Sequence, residues 1–253
     1  MDFDGGSTAT VHLWVAPLLV PPSLLRALEA SLTRAERTRA ARYRYPQDAR
    51  RFSAARGWLR HVLATEVGTQ PAEVHISQDP GKPRLAYEGG PFFNLSHAGD
   101  LAVIAVAARE VGVDVEHRSS GRGALDAAAL ACTPAEMESL GRLPTGERGT
   151  AFLGLWTAKE AYLKARGMGL AVSPDRVELG ARRLGAATPV QLIGDPGRTQ
   201  WWVRQLWLGS GYLGAVAAEG EDWRVEFRCT AELEVPYELV GAQEPNSSGW
   251  KTL

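Results

Sequence analysis

Hydrophobic and polar positions along the chain alternate between two rhythms. Val11–Val15 is a short apolar run closed by Pro17, the signature of a strand. Pro21-Pro22-Ser23 opens a helix over Leu24–Leu32. Thr33 with Glu36 three residues on is a capping box for a second, arginine-rich helix. Helical spacing at Phe52, Ala55, Leu59, Val62 and Leu63 predicts a third helix over Gln47–Val67. After Gly68 the period shortens, predicting strands at Val74–Ser77, Phe92–Leu95, Leu101–Ala107 and Val111–Glu116, read as an antiparallel meander with a turn at Ser96–Asp100.

The rhythm then repeats. Gly121–Gly123 reads as a flexible link. Helices are predicted over Leu125–Ala131, Pro134–Leu143 (capped by Thr133 with Glu136) and Glu147–Arg166. Strands follow at Arg176–Leu179, Val190–Leu192, Gln200–Leu208, Tyr212–Ala218 and Arg224–Thr230. Strand, helices, strands occur twice, which predicts an α+β protein of two similar lobes. The division expected is 1–111 for the first lobe, 112–235 for the second and 236–253 as a disordered polar tail.

Composition narrows the function classes. Among 253 residues, 45% are hydrophobic and 23% charged, so a substantial core is expected. The net charge of −1 carries no global basic field and argues against nucleic acid. Nine arginines between Arg34 and Arg60 face only Glu36 and Asp48, which is either a solvated face or a grip for a phosphorylated ligand. The two cysteines, Cys132 and Cys229, are far apart, which disfavours zinc clusters and disulfides and suits a reducing cytoplasm; each is expected to be a small core residue. The first ten residues carry no basic region of a signal peptide, and no apolar run reaches membrane-spanning length. A cytoplasmic protein with no membrane partner is expected.

Two stretches carry chemistry. In Val111–Glu116 the valines share one face of a strand while Gly112, Asp114 and Glu116 share the other. That face is either wet and acidic or a site for a hard divalent cation such as Mg2+. In Phe152–Leu170 the residues Trp156, Glu160 and Lys164 lie on one helical stripe, so Glu160 could add a third carboxylate. Alternatively, Glu160 and Lys164 form an ordinary helix pair. His97 beside Ser96 could donate to phosphate or be a plain turn residue, and Lys82 could do the same or be an exposed turn lysine. Together these groups suit transfer chemistry on a diphosphate, governed by charge neutralisation and positioning.

Three motifs in order carry a resemblance: Gly81-Lys82-Pro83 leading to Phe93-Asn94-Leu95-Ser96-His97; Val111-Gly112-Val113-Asp114-Val115-Glu116; and Trp156-Thr157-Ala158-Lys159-Glu160-Ala161-Tyr162-Leu163-Lys164, with a Gly167-Met168-Gly169-Leu170 exit. The combination resembles the two-lobed, Sfp-type branch of the 4′-phosphopantetheinyl transferases. The resemblance implies a pseudo-twofold pair of lobes holding coenzyme A, and a monomer that moves the phosphopantetheine arm to a serine of an acyl- or peptidyl-carrier domain, releasing 3′,5′-ADP. Fatty-acid, polyketide or peptide-synthetase carriers would each serve. It implies that Asp114, Glu116 and Glu160 hold Mg2+, with Glu160 as general base and Lys164 on the leaving group. It implies that Lys159 contacts the diphosphate, that His97 and Ser96 bind phosphate, that Lys82 lies near the adenine or phosphate end, and that Arg51 and Arg39 grip the 3′-phosphate. One departure is Glu36, which stands where a relative carries a basic residue. A non-catalytic module binding coenzyme A or a carrier, and a Mg2+-dependent phosphohydrolase, are the alternatives.

Overall fold

The computed structural model describes residues 9–77, 81–87, 89–179, 187–195, 200–209 and 211–230, the side chains of 121–125 and 170 aside. The expected tail at 236–253 lies outside them. Strand β1 (Ala9–Pro17) alternates, but both its faces are covered: Val11 and Leu13 on one, Trp14 and Ala16 on the other. Helices α1 (Pro22–Ala30), α2 (Arg34–Ala40) and α3 (Pro46–Val67) follow. Proline in the first turn starts α1 and α3, where its missing N–H costs nothing. Gly68, at φ 70°, ends α3 in the left-handed conformation that glycine adopts without strain.

The Thr33–Glu36 capping box forms as the spacing predicts, with the Thr33 amide donating to Glu36 Oε2 at 2.9 Å and the Glu36 amide to Thr33 Oγ1 at 3.2 Å. The same carboxylate accepts from Arg56 at 2.8 Å and from the buried Arg60 at 2.7 Å. Two arginines of the basic segment are thus internal. Burial pushes the Glu36 carboxyl up, but the Thr33 amide, Arg56 and Arg60 together outweigh it and hold it below the usual carboxylate value. A depressed folded-state pKa stabilises the fold above the unfolded-state pKa, and that contribution is lost as pH falls through the folded value. Glu36→Gln is therefore expected to lower the urea midpoint at neutral pH and to converge with wild type below about pH 4. A constant gap across that range would contradict this role.

Strands β2 (Phe92–Ala98) and β3 (Leu101–Ala107) complete the first lobe, in the order β2-β3-β1. The second lobe comprises β4 (Val111–His117), α4 (Gly121–Ala131), α5 (Pro134–Gly141), α6 (Thr145–Ala165), β5 (Val177–Leu179), β6 (Thr188–Leu192), β7 (Trp201–Trp207) and β8 (Tyr212–Glu219). Its sheet runs β4-β8-β7-β6-β5. Both lobes obey one rule. The last strand of the repeat (β3 or β8) lies antiparallel between the first (β1 or β4) and the penultimate (β2 or β7). The architectural repeat inferred from element order is present in the strand order.

Six expectations need correction. The strand β4 does not continue a meander; it leaves the first sheet to pair with β8. Residues 74–77 form no strand beyond an isolated bridge between Ile76 and Leu85. Gly121–Gly123 is the first turn of α4 rather than a link. Ser96 and His97 lie within β2, which runs three residues past Leu95 to Ala98, so the turn is confined to Gly99-Asp100. Strand β9 (Trp223–Cys229) returns to the first lobe and pairs in parallel with β1, so residues assigned to 112–235 are shared between two sheets. Cys132 is buried as expected, whereas Cys229 is exposed.

The layers follow from alternation. One face of the first sheet packs Trp14, Ala16 and Ile104 against Trp58, Leu59 and Leu63 of α3. Its other face packs Leu13, Val103 and Ala105 against Val111, Val113, Val115 and Val216 of the second sheet. The helix α6 covers the outer face of that second sheet through Ala158, Ala161, Tyr162 and Ala165. Among the described residues no helix is long and apolar enough to cross a membrane.

Candidate active site at the junction of the lobes

The edges of the two sheets meet where β2 runs beside β4. Asn94 Oδ1 accepts from the Val113 amide at 3.0 Å, and Ser96 Oγ donates to Asp114 Oδ1 at 2.9 Å. With Val111, Val113 and Val115 turned into the inter-sheet core, Gly112, Asp114 and Glu116 face α6, as period two requires. Gly112 is where α6 crosses. A Cβ there would lie 2.1 Å from the Ala161 carbonyl oxygen and 2.3 Å from the Ala165 nitrogen. Backbone thus rests on backbone, and the side chains on either side of that crossing are brought onto Asp114.

Lys164 of α6 reaches across the crossing. Its Nζ donates to Asp114 Oδ1 at 2.6 Å and to Ser96 Oγ at 3.0 Å. Three elements, β2, β4 and α6, therefore converge on one carboxylate that is only 5% exposed. Asp114 Oδ2 is buried and accepts from nothing. A buried carboxylate oxygen without a donor is costly, so it marks a place for a cation or donor from outside the chain.

Glu116 and Glu160 flank this centre, both partly exposed. Burial first, then the charge of Asp114, raises the Glu116 carboxyl; Glu160 adds to the rise while Lys164 and a hydrogen bond from Ser120 oppose it. Glu160 is raised by burial and by Asp114, with Lys164 opposing. The mutual repulsion shows that all three carboxylates share one field. Among the described residues, however, no three acidic, histidine or cysteine side chains are gathered tightly enough to form a ready-made metal cage, and Lys164 holds the first oxygen of Asp114.

His97 stands beside the cluster at the surface. Burial, then the charges of Lys164 and Arg51, lower its pKa. Arg51 of α3 donates to Asp100 Oδ1 at 2.7 Å and lies 3.6 Å from Asp48. Arg39 sits over the Phe52 ring, 5.2 Å from its centroid. Arg51 is near enough to His97 to act on its charge, whereas the contact given for Arg39 is with Phe52 and not with the carboxylate cluster.

Two lysines expected at the phosphates are engaged elsewhere. Lys82 donates to Glu110 Oε2 and to the Val111 carbonyl, both at 2.7 Å, and to the Ala165 carbonyl at 3.0 Å. Burial lowers its pKa, with Glu110 opposing. It is a staple between the Gly-Lys-Pro loop, the start of β4 and the end of α6. Lys159 has no exposed surface and donates to the Ala131 carbonyl at 2.8 Å, Glu136 Oε2 at 2.6 Å and the Pro174 carbonyl at 3.0 Å. An ammonium has three protons, and in both lysines all three are used within the protein. The signal was present for Lys159. It shares a helical stripe with Phe152, Leu155 and Leu163, all buried, so its charge had to be satisfied inside. Sequence reasoning also passed over Asn94, whose side chain joins the two sheet edges; no pattern in the strand marks it.

Comparison with known proteins follows the same division. A family model described as 4′-phosphopantetheinyl transferase, N-terminal, matches residues 21–109, and one described as the 4′-phosphopantetheinyl transferase superfamily matches residues 110–217. The join falls immediately before β4. The chain is 36% identical over 222 residues to the 4′-phosphopantetheinyl transferase HetI of Nostoc sp., covering 86% of this chain and 91% of that protein. It is 24% identical over 189 residues to the 4′-phosphopantetheinyl transferase Sfp of Bacillus subtilis, covering 74% and 82% respectively. A solved ACPS–CoA complex of Chronobacterium ammoniagenes aligns with a TM-score of 0.37 and 20% identity, over 44% of this chain and 96% of its own.

Proposed function

The chain belongs to the 4′-phosphopantetheinyl transferase family, and from that premise we propose that it transfers the phosphopantetheine arm of coenzyme A to a carrier-domain serine at the junction of β2, β4 and α6. The observation that carries this assignment is the convergence of Asp114, Glu116 and Glu160 with Lys164 around a buried, donorless carboxylate oxygen. Hard oxygen donors sharing one field fit Mg2+, which Asp114, Glu116 and Glu160 would hold. When bound, the cation supplies positive charge against the diphosphate of coenzyme A.

The residues then divide the work. Glu160 accepts the proton of the carrier serine; burial and Asp114 raise its carboxyl while Lys164 opposes them, and a cation held beside it would draw that value down, so the base acts through its position on the serine. The serine oxygen forms a bond to the phosphorus that bears the pantetheine. The bond from that phosphorus to the bridging oxygen breaks, and 3′,5′-ADP leaves with the electron pair. Lys164 lies on the same helical stripe as Glu160, and its ammonium, which donates to Asp114, is suited to the charge that collects on the departing phosphate. Arg51 and His97, on the first-lobe side, are suited to a phosphate of coenzyme A, with Arg51 exchanging Asp100 for the ligand. The arm enters an acyl- or peptidyl-carrier domain, and the enzyme is a cytoplasmic monomer.

The test is to incubate the protein with coenzyme A, Mg2+ and a panel of apo carrier domains and to weigh the carriers. A carrier gaining one phosphopantetheine arm, and none when the metal is chelated, is the expected result. Coenzyme A binding without any loaded carrier would instead favour a binding module. Release of product without a carrier would favour a hydrolase.

A further inference from the structure

We propose that Lys159 and Glu136 form a positioning pair that keeps the two glutamates of the site in register; the inference rests on the transferase reading of Glu116 and Glu160. Three separate pieces of the second lobe meet on the Lys159 ammonium: the carbonyl of Ala131 at the end of α4, the Glu136 carboxylate in the first turn of α5, and the Pro174 carbonyl in the turn after α6. Glu136 is committed on its own side. Its Oε2 accepts from the Thr133 amide at 2.8 Å as the cap of α5, while its Oε1 is buried and accepts from nothing.

The consequence for the site follows from the chain path. Helix α4 issues from the end of β4, with only the short turn Arg118–Ser120 between it and the residue after Glu116. Ser120, the last residue of that turn, stands four residues after Glu116. The far end of α4 is fastened to α6 by Lys159, the residue directly before Glu160. The helix α4 is therefore a strut whose one end follows directly on the strand that carries Glu116 and whose other end is tied beside Glu160. A pair needed only for stability would be replaceable by apolar side chains of similar size. A strut that sets two reacting groups would not.

The experiment compares wild type, Lys159→Met/Glu136→Met and Lys159→Arg for melting temperature, calorimetric affinity for coenzyme A, and kcat and KM for a carrier domain. Because displacements near 1 Å at a reacting centre cost up to about a hundredfold, the double variant is expected to lose about tenfold or more in kcat. It should keep cooperative melting and coenzyme A affinity within about twofold, with Lys159→Arg recovering part of the rate. Wild-type kcat in the folded double variant would overturn the pair's role. A tenfold loss of coenzyme A affinity at unchanged kcat would instead put Lys159 on the substrate and also overturn it. Should the double variant not fold, Glu136→Gln keeps both acceptor contacts without the charge; a smaller fall in kcat supports the pair, and unchanged kcat overturns it. Wild type that loads no carrier would sink the transferase reading itself, whereas active wild type with an equally active variant sinks only this inference.

Discussion

Glu160→Gln is expected to reduce carrier loading by about a thousandfold or more, since one change removes both a general base and a carboxylate that would hold the cation against the diphosphate. Glutamine has the same shape but neither accepts the serine proton nor carries charge. Coenzyme A affinity should change far less, because Lys164, Arg51 and His97 remain in place. Single-turnover transfer and calorimetric binding on the same preparation separate the two effects. Turnover within tenfold of wild type would remove Glu160 from the chemistry and leave it as one carboxylate of an acidic surface.

Gly112→Ala is expected to be the most damaging small substitution in the protein. The added Cβ would lie 2.1 Å from the Ala161 oxygen, 2.3 Å from the Ala165 nitrogen and 2.8 Å from the Ala165 Cα. All three are backbone atoms, so no side-chain rotation relieves the clash, and α6 must withdraw from β4. Overpacking of this kind costs about 3 kcal/mol or more. Because Glu160 and Lys164 ride on α6, whatever folded protein remains should also lose transfer about a hundredfold. Gly146→Ala in the first turn of the same helix is the control: its Cβ would meet nothing within 4 Å, and removing a helical glycine is worth up to about 1 kcal/mol of stability. Urea unfolding of the two variants should therefore move in opposite directions. Equal stability of Gly112→Ala and wild type would show that the crossing is looser than this contact.

Local rules carried much of the fold. Both capping boxes, Thr33 with Glu36 and Thr133 with Glu136, close as their spacing requires. The helix expected over Glu147–Arg166 is found at Thr145–Ala165, and its stripe of Glu160 and Lys164 turns towards β4. The alternation in Val111–Glu116 placed the valines in the core and both carboxylates on the α6 side. These succeeded because a capping box, a helical stripe and a strand face are set by residues within a few positions of one another.

Other residues depend on contacts far along the chain. The resemblance implies that Lys159 contacts the diphosphate and that Lys82 lies near the adenine or phosphate end, whereas in the structure both are engaged within the protein. Whether a lysine is free for substrate depends on acceptors far away in the chain. Lys82 finds them at Val111 and Ala165, and Lys159 at Ala131, Glu136 and Pro174. Glu36, which stands where a relative carries a basic residue, is the hub that turns Arg56 and Arg60 inward. The return of β9 to the first sheet had no local signal either, since parallel pairing with β1 joins the two ends of the described chain. By itself, then, the sequence determined the two lobes, the carboxylate strand and the helix that opposes it, because each is written in short-range periodicity. Only the tertiary structure decided which cations remain available to a ligand and which hold the lobes together, because a charge's partners are chosen by packing across the whole fold.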